Sequence, residues 1–316
     1  MESIIIKVQK KISIVTPTFN EKDNIEILVN SVSSQMQKFN YNYEHIIIDN
    51  CSTDTTQDVI KNITNKNKRV KAIFNTRNFG AIRSSHHAIL QSTGDATILI
   101  SSDLQEPVEI IADYIKYWED GFDVVMGQRR SSASSFFLDK VKSIFYKFLN
   151  SVSEIKLIER SGSTALISKK IVDQFKIIDD PYPYFRGLIP ELASNIKIVP
   201  YEQQKRLKGK SKSNFFDLYD MAMLGIVKHS KIPLRIFTIV GFFCSILSLA
   251  VAFIFLLYKI FFWSAIDVGI APIIIGLFGV ASIQLFLLGF VGEYVMQILT
   301  HTRKMPLVIE RDRLNF

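Results

Sequence analysis

The sequence predicts an α/β domain, a mostly parallel sheet with helices on both faces, followed by interfacial amphipathic helices and two transmembrane helices. Three observations predict it. Short β-branched runs alternate with helix-periodic segments over the first half of the chain. Polar clusters stand at the carboxyl ends of successive apolar runs. Two long charge-free runs occupy the last third.

Residues 12–16 read as a buried strand closed by Pro17, and residues 20–38 as a helix with Ile25, Leu28, Val29 and Val32 on one side. Residues 44–49 hold Ile46, Ile47 and Ile48, a second buried strand, and residues 53–62 are helical in pattern. Residues 70–74 form a third strand, 81–91 a helix and 96–101 a fourth strand. Residues 107–119 read as a helix opened by proline, and 123–127 as a fifth, short strand. Strands alternating with helices imply a mostly parallel sheet covered on both faces. In such sheets ligands bind beyond the carboxyl ends of the strands. The polar clusters fall there: Thr18 to Glu21, Asp49 to Asp54, Arg77 with Asn78, and Ser101 to Gln105.

Position and chemistry agree at these ends. Asp49 closes an apolar strand, where a carboxylate can accept hydrogen bonds from a base or ribose. Asp103 closes another, where it can hold a divalent cation with phosphate oxygens completing the shell. A lone aspartate at a strand end is ordinarily a cap or turn residue, and Asp54 reads as one. Several polar clusters at successive strand ends point instead to a shared pocket. No Walker A loop and no G-x-G-x-x-G after the first strand are present, which disfavours an ordinary NTPase or dehydrogenase. The adjacent His86 and His87 point to different parts of a helix surface and read as surface or packing residues. The 2 cysteines, Cys51 and Cys244, exclude a disulfide scaffold and a Cys-rich metal site.

The last third has a different solvent. Residues 236–258 carry no charge over about 23 residues, ~35 Å as a helix, against a bilayer core of ~30 Å. Residues 268–292 form a second run of about 25 residues between Asp267 and Glu293. Cations crowd the outer flanks of the pair: Lys205, Arg206, Lys208, Lys210, Lys212, Lys228, Lys231 and Arg235 before it, Arg303, Lys304, Arg311 and Arg313 after it. The connection between the runs holds only Lys259. The positive-inside rule therefore places the N-terminal domain and both termini in the cytoplasm of a multi-pass plasma-membrane protein. No charged-then-apolar leader precedes Ile12, so no signal peptide is expected. The net charge of +8 suits anionic partners. Nucleic acid is disfavoured, because the cations are tied to the apolar runs and lack interleaved aromatics. Residues 131–152 and 214–229 are amphipathic and suit packing or a membrane surface. The domains expected are 1–212 (catalytic), 213–232 (juxtamembrane helix), 233–300 (membrane hairpin) and 301–316 (cytosolic tail).

Six motifs in order carry a resemblance. They are Pro17-Thr18-Phe19-Asn20-Glu21, the Asp49, Ser52 and Asp54 pattern, Arg77-Asn78-Phe79-Gly80, Asp103-Leu104-Gln105-Glu106-Pro107, Phe185-Arg186-Gly187, and Gln204 with Arg206, Gly209, Ser211 and Lys212. With the membrane pair, the chain resembles family 2 glycosyltransferases of the dolichyl-phosphate-mannose-synthase type, specifically bacterial polyprenyl-phosphate sugar transferases. The resemblance implies a GT-A-like fold, a nucleotide-sugar donor (UDP in preference) and a polyprenyl phosphate acceptor such as undecaprenyl phosphate. It implies contacts from Glu21 and Asp49 to the nucleoside, with Pro17, Asn78, Ser102 and Gln105 also in the donor site. It implies Asp103 at an Mg²⁺ or Mn²⁺ ion and the diphosphate, and Arg206, Ser211 and Lys212 near phosphate. A homo-oligomer is implied on the same ground alone.

The sequence departs from that pattern twice. Ser101 stands where the family's metal motif has its first Asp, so metal should bind less tightly. Residues 160–164 lack the acidic residues that include a proposed base. A phosphate monoester, with a second pKa of ~6, needs no base to deprotonate it at neutral pH. If a base is used, Glu191 is the candidate. The alternatives are a lipid-linked or hydroxyl acceptor and, in a different class, a non-catalytic membrane scaffold with a degenerate metal motif.

Overall fold

The computed structural model describes residues 10–130, 158, 161–178, 180–183, 185–204, 239–243, 246, 247, 250, 253, 254, 257, 260, 261, 270–302 and 305–316. The amphipathic segments expected at 131–152 and 213–232, and Arg206, Ser211 and Lys212, lie outside the described residues. The chain divides into two compact units: Met1–Phe148, Ile155–Phe215 and Lys304–Phe316 form one, Leu149–Glu154 and Phe216–Arg303 the other.

The first unit runs β1 (Lys11–Thr18), α1 (Ile25–Met36), β2 (Asn42–Asp49), α2 (Thr56–Lys66), β3 (Val70–Asn75), α3 (Ala81–Leu90), β4 (Ala96–Leu99), α4 (Ile110–Glu119) and β5 (Val124–Arg129). It continues with β6 (Ser161–Ser168), α5 (Lys169–Ile177), α6 (Phe185–Leu192), β7 (Ile196–Tyr201) and, from the end of the chain, β8 (Glu310–Leu314). The sheet has 8 strands in the order β7-β5-β6-β4-β1-β2-β3-β8. β1 pairs in parallel with β2 and β4, β2 with β3, and β5 with β7. β6 is antiparallel to β4 and β5, and β8 to β3. The sheet is thus mixed, with β4, β1, β2 and β3 mutually parallel at its centre.

Alternation along β1, β2 and β3 builds three buried clusters. Ile12 and Ile14 pack with Leu28, Val32 and Met36 of α1 and with Ile111 and Ile115 of α4. Val15, Ile46 and Ile48 face the other way, onto Ala88 and Ile89 of α3 and Ile171 and Phe175 of α5. Ile47, Ala72 and Phe74 meet Ile25 and Val29 of α1 and Ile60 of α2. Each fully buried Ile or Leu stabilises the fold by roughly 1.5–3 kcal/mol.

The elements differ from expectation where tertiary bonds override pattern. α1 begins at Ile25 rather than at residue 20, because Asn20 adopts a φ of 55° and its amide is held by Ser52. α2 begins at Thr56, since Thr53 N–H donates to Asn20 Oδ1 at 2.7 Å. Asp54 Oδ1 accepts the Thr56 N–H at 3.0 Å, the turn role expected of it. His86 is buried, tilted against Phe175, while His87 pairs with Glu310 at 2.5 Å.

In the second unit α7 (Ile270–Thr302) runs 33 residues, ~50 Å at 1.5 Å per residue. It continues past Glu293, the charge that closes the second apolar run, to Thr302. Within it Ile283–Thr300 is long and apolar enough to cross a membrane, and it is the one such helix among the described residues. The positions described between residues 239 and 261 are helical.

Candidate functional site

The chain passes from β1 to β2 and β3 on one side, then returns through α3 to β4 on the other. The order therefore reverses between β1 and β4, the place where an open α/β sheet leaves a crevice at its carboxyl edge. A cleft of about 190 Å³ opens there. The loop after β1 supplies Pro17, Thr18, Phe19 and Glu21 to its wall, and the loop after β4 supplies Ser101, Ser102 and Asp103. Asn50, from the end of β2, and Ala81 and Ser84, from the first turns of α3, complete the lining.

The loops are held in conformations that ordinary residues seldom adopt. Asn20 after β1, Cys51 after β2 and Leu104 after β4 have φ of 55°, 62° and 55°. A non-glycine residue there costs roughly 1–2 kcal/mol, less for asparagine. Hydrogen bonds between the loops offset that cost. Asn20 N–H donates to Ser52 Oγ at 2.8 Å, Glu21 N–H to Thr56 Oγ1 at 2.9 Å, and Asn50 N–H to the Thr18 carbonyl at 2.9 Å. Such strain held by surrounding structure is typical of sites that must present fixed groups.

Asp49 does not reach the cleft. It is fully buried, with Oδ1 accepting from Ser52 Oγ at 2.5 Å and Oδ2 from Ser52 N–H at 3.0 Å and Gln57 Nε2 at 2.8 Å. Burial pushes its carboxyl pKa up, against the Ser52 and Gln57 hydrogen bonds and the charge of Arg311, which pull it down. Its place is behind the wall, as the anchor of the loop that carries Asn50. Asn50 Oδ1 accepts from Asn75 Nδ2, Phe79 N–H and Ser84 Oγ at 3.1, 2.9 and 3.0 Å, and its own amide donates to Asn78 Oδ1 at 2.7 Å. Asn78 in turn accepts the Gly80 N–H at 2.9 Å, which sets the entry to α3. Gly80 has a φ of +85°, a conformation that glycine adopts without strain.

On the β4 side, Asp103 Oδ1 receives Gln105 N–H at 3.3 Å, a local turn. Gln105 Oε1 accepts from Gln203 Nε2 at 2.9 Å, and its carbonyl accepts Gln204 N–H at 3.0 Å. Gln204 therefore lies beside the Asp103 loop. Glu106 is buried at 3% exposure, and its Oε2 has no hydrogen-bond partner. Burial, then the neighbouring Asp103 charge, pushes its pKa up, with Arg129 acting the other way. Arg129 is tied to Tyr201 and Gln203 at 3.3 and 3.4 Å.

The structure thus brings Pro17, Glu21, Ser102 and Asp103 to one cleft, sets Asp49, Asn78 and Gln105 behind or beside it, and puts Glu191 elsewhere. Glu191 is exposed on α6, whose Leu188 and Ile189 pack onto the core with α5. Sequence reasoning had Asn50 and Glu106 within its polar clusters and motifs, but missed Ala81 and Ser84 as wall and the half-buried Arg129, whose charge reaches Glu106. The signal for Arg129 was a cation at the carboxyl end of a strand.

Few side chains here could hold a divalent cation. No group of three or more His, Cys, Asp or Glu side chains converges among the described residues. Mg²⁺ asks for less: one or two carboxylates, with substrate phosphates and water completing its oxygen shell. Asp103 on the cleft wall, with the unpartnered Glu106 Oε2 close enough for their charges to interact, meets that requirement.

Residues 13–175 match the model of glycosyl transferase family 2. At 32% identity over 299 residues, covering 94% of this chain and 90% of the relative, the chain is similar to CsbB of Bacillus subtilis strain 168. It is similar to the prophage bactoprenol glucosyl transferase homolog of Escherichia coli K12, at 31% identity over 94% of this chain and 97% of that one. It is also similar to the bactoprenol glucosyl transferase of Shigella phage SfX, at 29% identity over 96% and 99%.

Proposed function

The chain belongs to glycosyl transferase family 2, and from that membership we propose that it moves a hexose from a nucleotide-sugar, a UDP-sugar in preference, to a polyprenyl phosphate at the cytoplasmic face of a membrane. The names of the relatives add glucose as the sugar and bactoprenol as the lipid. The product would serve assembly or modification of cell-envelope glycan. The observation that carries this reading is the cleft at the sheet's switch point. It brings Glu21, Asn50, Ser102 and Asp103 together at the carboxyl edge of a mixed, mostly parallel sheet.

In the mechanism, a phosphate oxygen of the lipid attacks the anomeric carbon of the sugar. The new C–O bond forms as the bond to the donor's diphosphate breaks, the configuration inverts, and the nucleoside diphosphate leaves with the electron pair. The acceptor attacks as a dianion, its second pKa being ~6, so no side chain has to remove a proton. The absence of any carboxylate in β6 is compatible with that chemistry. Glu191 keeps a role only for a hydroxyl acceptor. Glu21 and Asn50 bind the nucleoside side of the donor, and Asp49 holds their loops. Asp103 would hold a divalent cation, which would offset charge on the diphosphate. Arg206 and Lys212 supply fixed positive charge to the phosphates, with Ser211 beside them.

The membrane placement is supported by connectivity. β8 pairs with β3, so the chain before and after the apolar segment ends in one folded unit. Any number of crossings between them is then even, as in a two-helix hairpin. Leu285, Phe286 and Leu288 of α7 are each more than 60% exposed, at 69, 65 and 67%, which suits a hydrocarbon surround.

The test is product identity. Purified full-length protein in detergent is given undecaprenyl phosphate, Mg²⁺ or Mn²⁺ and a panel of UDP- and GDP-sugars, and the lipids are read by mass spectrometry. A glycosyl-phosphoprenol from one donor is the expected result. Nucleotide binding without any such product would refute the acceptor assignment.

A further inference from the structure

The cations after the second apolar run, Arg311 among them, are expected from the sequence only as topological signals. In the structure they belong to the sheet. β8 lies along β3, and the chain around it bonds to the turn after β3, to α3 and to α2. Thr76 donates twice to the Ile309 carbonyl, from N–H at 2.9 Å and Oγ1 at 3.1 Å. Arg83 of α3 donates to the Pro306 carbonyl at 2.6 Å. The contact of interest is at α2, where Arg311 Nη2 donates to Gln57 Oε1 at 2.7 Å.

That bond fixes an amide. A carboxamide offers an acceptor at one end and donors at the other, and it is free to turn unless both ends are read. Arg311 reads the oxygen of Gln57. Its NH₂ therefore faces Asp49 Oδ2 at 2.8 Å, and it also reaches the Ser52 carbonyl at 3.2 Å. Asp49 passes the constraint to Ser52, and Ser52 Oγ to the backbone of Asn20. The line of bonds begins on the last strand of the chain and ends on the loop that carries Glu21.

We propose that Arg311 is a positioning residue for the donor site: through Gln57 and Asp49 it sets the loops that bind the nucleoside of the nucleotide-sugar. The inference rests on reading the cleft as that donor site. It ties β8, which follows the whole apolar segment in sequence, to the loops of the nucleotide pocket.

The experiment is a double-mutant cycle on nucleotide affinity, with full-length protein in detergent, UDP and GDP as probes, and titration calorimetry as readout. Arg311→Ala and Gln57→Ala each weaken UDP binding roughly three- to tenfold, the scale of one ordinary hydrogen bond acting at a distance from the nucleotide. The double variant is no weaker than the weaker single one, because both cut the same line. Arg311→Lys recovers part of the loss. Arg313→Ala, on the same strand but bonded to Glu310 and Gln91, binds UDP as wild type does. Thermal midpoints check folding, and if Arg311→Ala fails to fold, Arg311→Lys against Gln57→Ala carries the cycle. Unchanged affinity in the Arg311 variants, additive losses, or an equal loss in Arg313→Ala would overturn the role of Arg311 alone. A wild-type protein that binds neither UDP nor GDP would overturn the donor reading and this inference together.

Discussion

Ser52 joins two loops that each contain a left-handed residue: its Oγ accepts the backbone N–H of Asn20 at 2.8 Å and donates to Asp49 Oδ1 at 2.5 Å. One hydroxyl thus serves the loop after β1 and the loop after β2. Neither loop's conformation is a local preference. Each persists because the other is in place.

Ser52→Ala removes both bonds and leaves a buried carboxylate one partner short. The expected cost is about 1–3 kcal/mol of stability and a loss of nucleotide affinity of roughly tenfold. Thermal unfolding and UDP titration measure the two effects. Wild-type affinity in a folded Ser52→Ala protein would show that the junction does not serve binding.

Acid should weaken the fold through two neighbours on β2. Burial lowers the His45 pKa from 6.5 to about 3, its Nε2 meeting Thr16 Oγ1 at 2.9 Å. Burial alone would raise Glu44, but hydrogen bonds from Lys11, Lys71, Ser13 and Thr93 take it from 4.5 down to about 2. Both groups bind protons more weakly in the fold than in the unfolded chain. Stability is therefore fully present above pH 6.5, falls through His45 from 6.5 toward 3, and falls further through Glu44 from 4.5 toward 2. Melting as a function of pH follows this, and His45→Gln should flatten the upper part of the acid limb.

Glu44→Gln should be costly at neutral pH. Glu44 Oε2 receives Lys11 and Lys71 at 2.8 and 2.7 Å and is buried at 2% exposure. Without its charge two half-buried ammonium groups lose their partner, at about 2–4 kcal/mol. A melting point within a degree or two of wild type would contradict the network's role.

Glu106 predicts the opposite sign. Burial, then Asp103, raises its pKa, so the fold binds this proton more tightly than the unfolded chain does. Its stabilisation is present below the unfolded pKa of about 4.5 and is lost as pH rises toward the folded value. Glu106→Gln keeps the shape without the buried charge. It should melt above wild type at pH 8, with the difference shrinking toward pH 4.5. A lower melting point at pH 8 would mean that the charge is needed where it stands.

The central strands are readable because each is a β-branched run flanked by turn residues, and burial on both faces demands that composition. The two edge strands, β7 and β8, and the interior antiparallel strand β6 are not. β8 is Glu-Arg-Asp-Arg-Leu, charged as an exposed edge strand is. β7 contains Pro200, which only an edge position tolerates. β6 opens with Ser-Gly-Ser-Thr and shows no apolar period. At the site, the loop ends are readable and their orientation is not. Asp49 looks like the reading residue, yet its buried carboxylate is taken up by Ser52 and Gln57, and it is Asn50 that meets the cleft. Ala81 and Ser84 reach the wall only because α3 folds back over the sheet, which no local pattern encodes. Arg311 gives no sign in sequence of its bond to Gln57, 254 residues away.

The most direct test compares sugar transfer to polyprenyl phosphate by wild type and Asp103→Asn, with UDP binding measured in parallel on the same preparations. If Asp103 acts on the leaving diphosphate at the cleft, transfer falls by roughly a hundredfold or more while the protein stays folded and UDP affinity changes by less than about tenfold. Transfer at the wild-type rate by a folded Asp103→Asn protein would contradict the account.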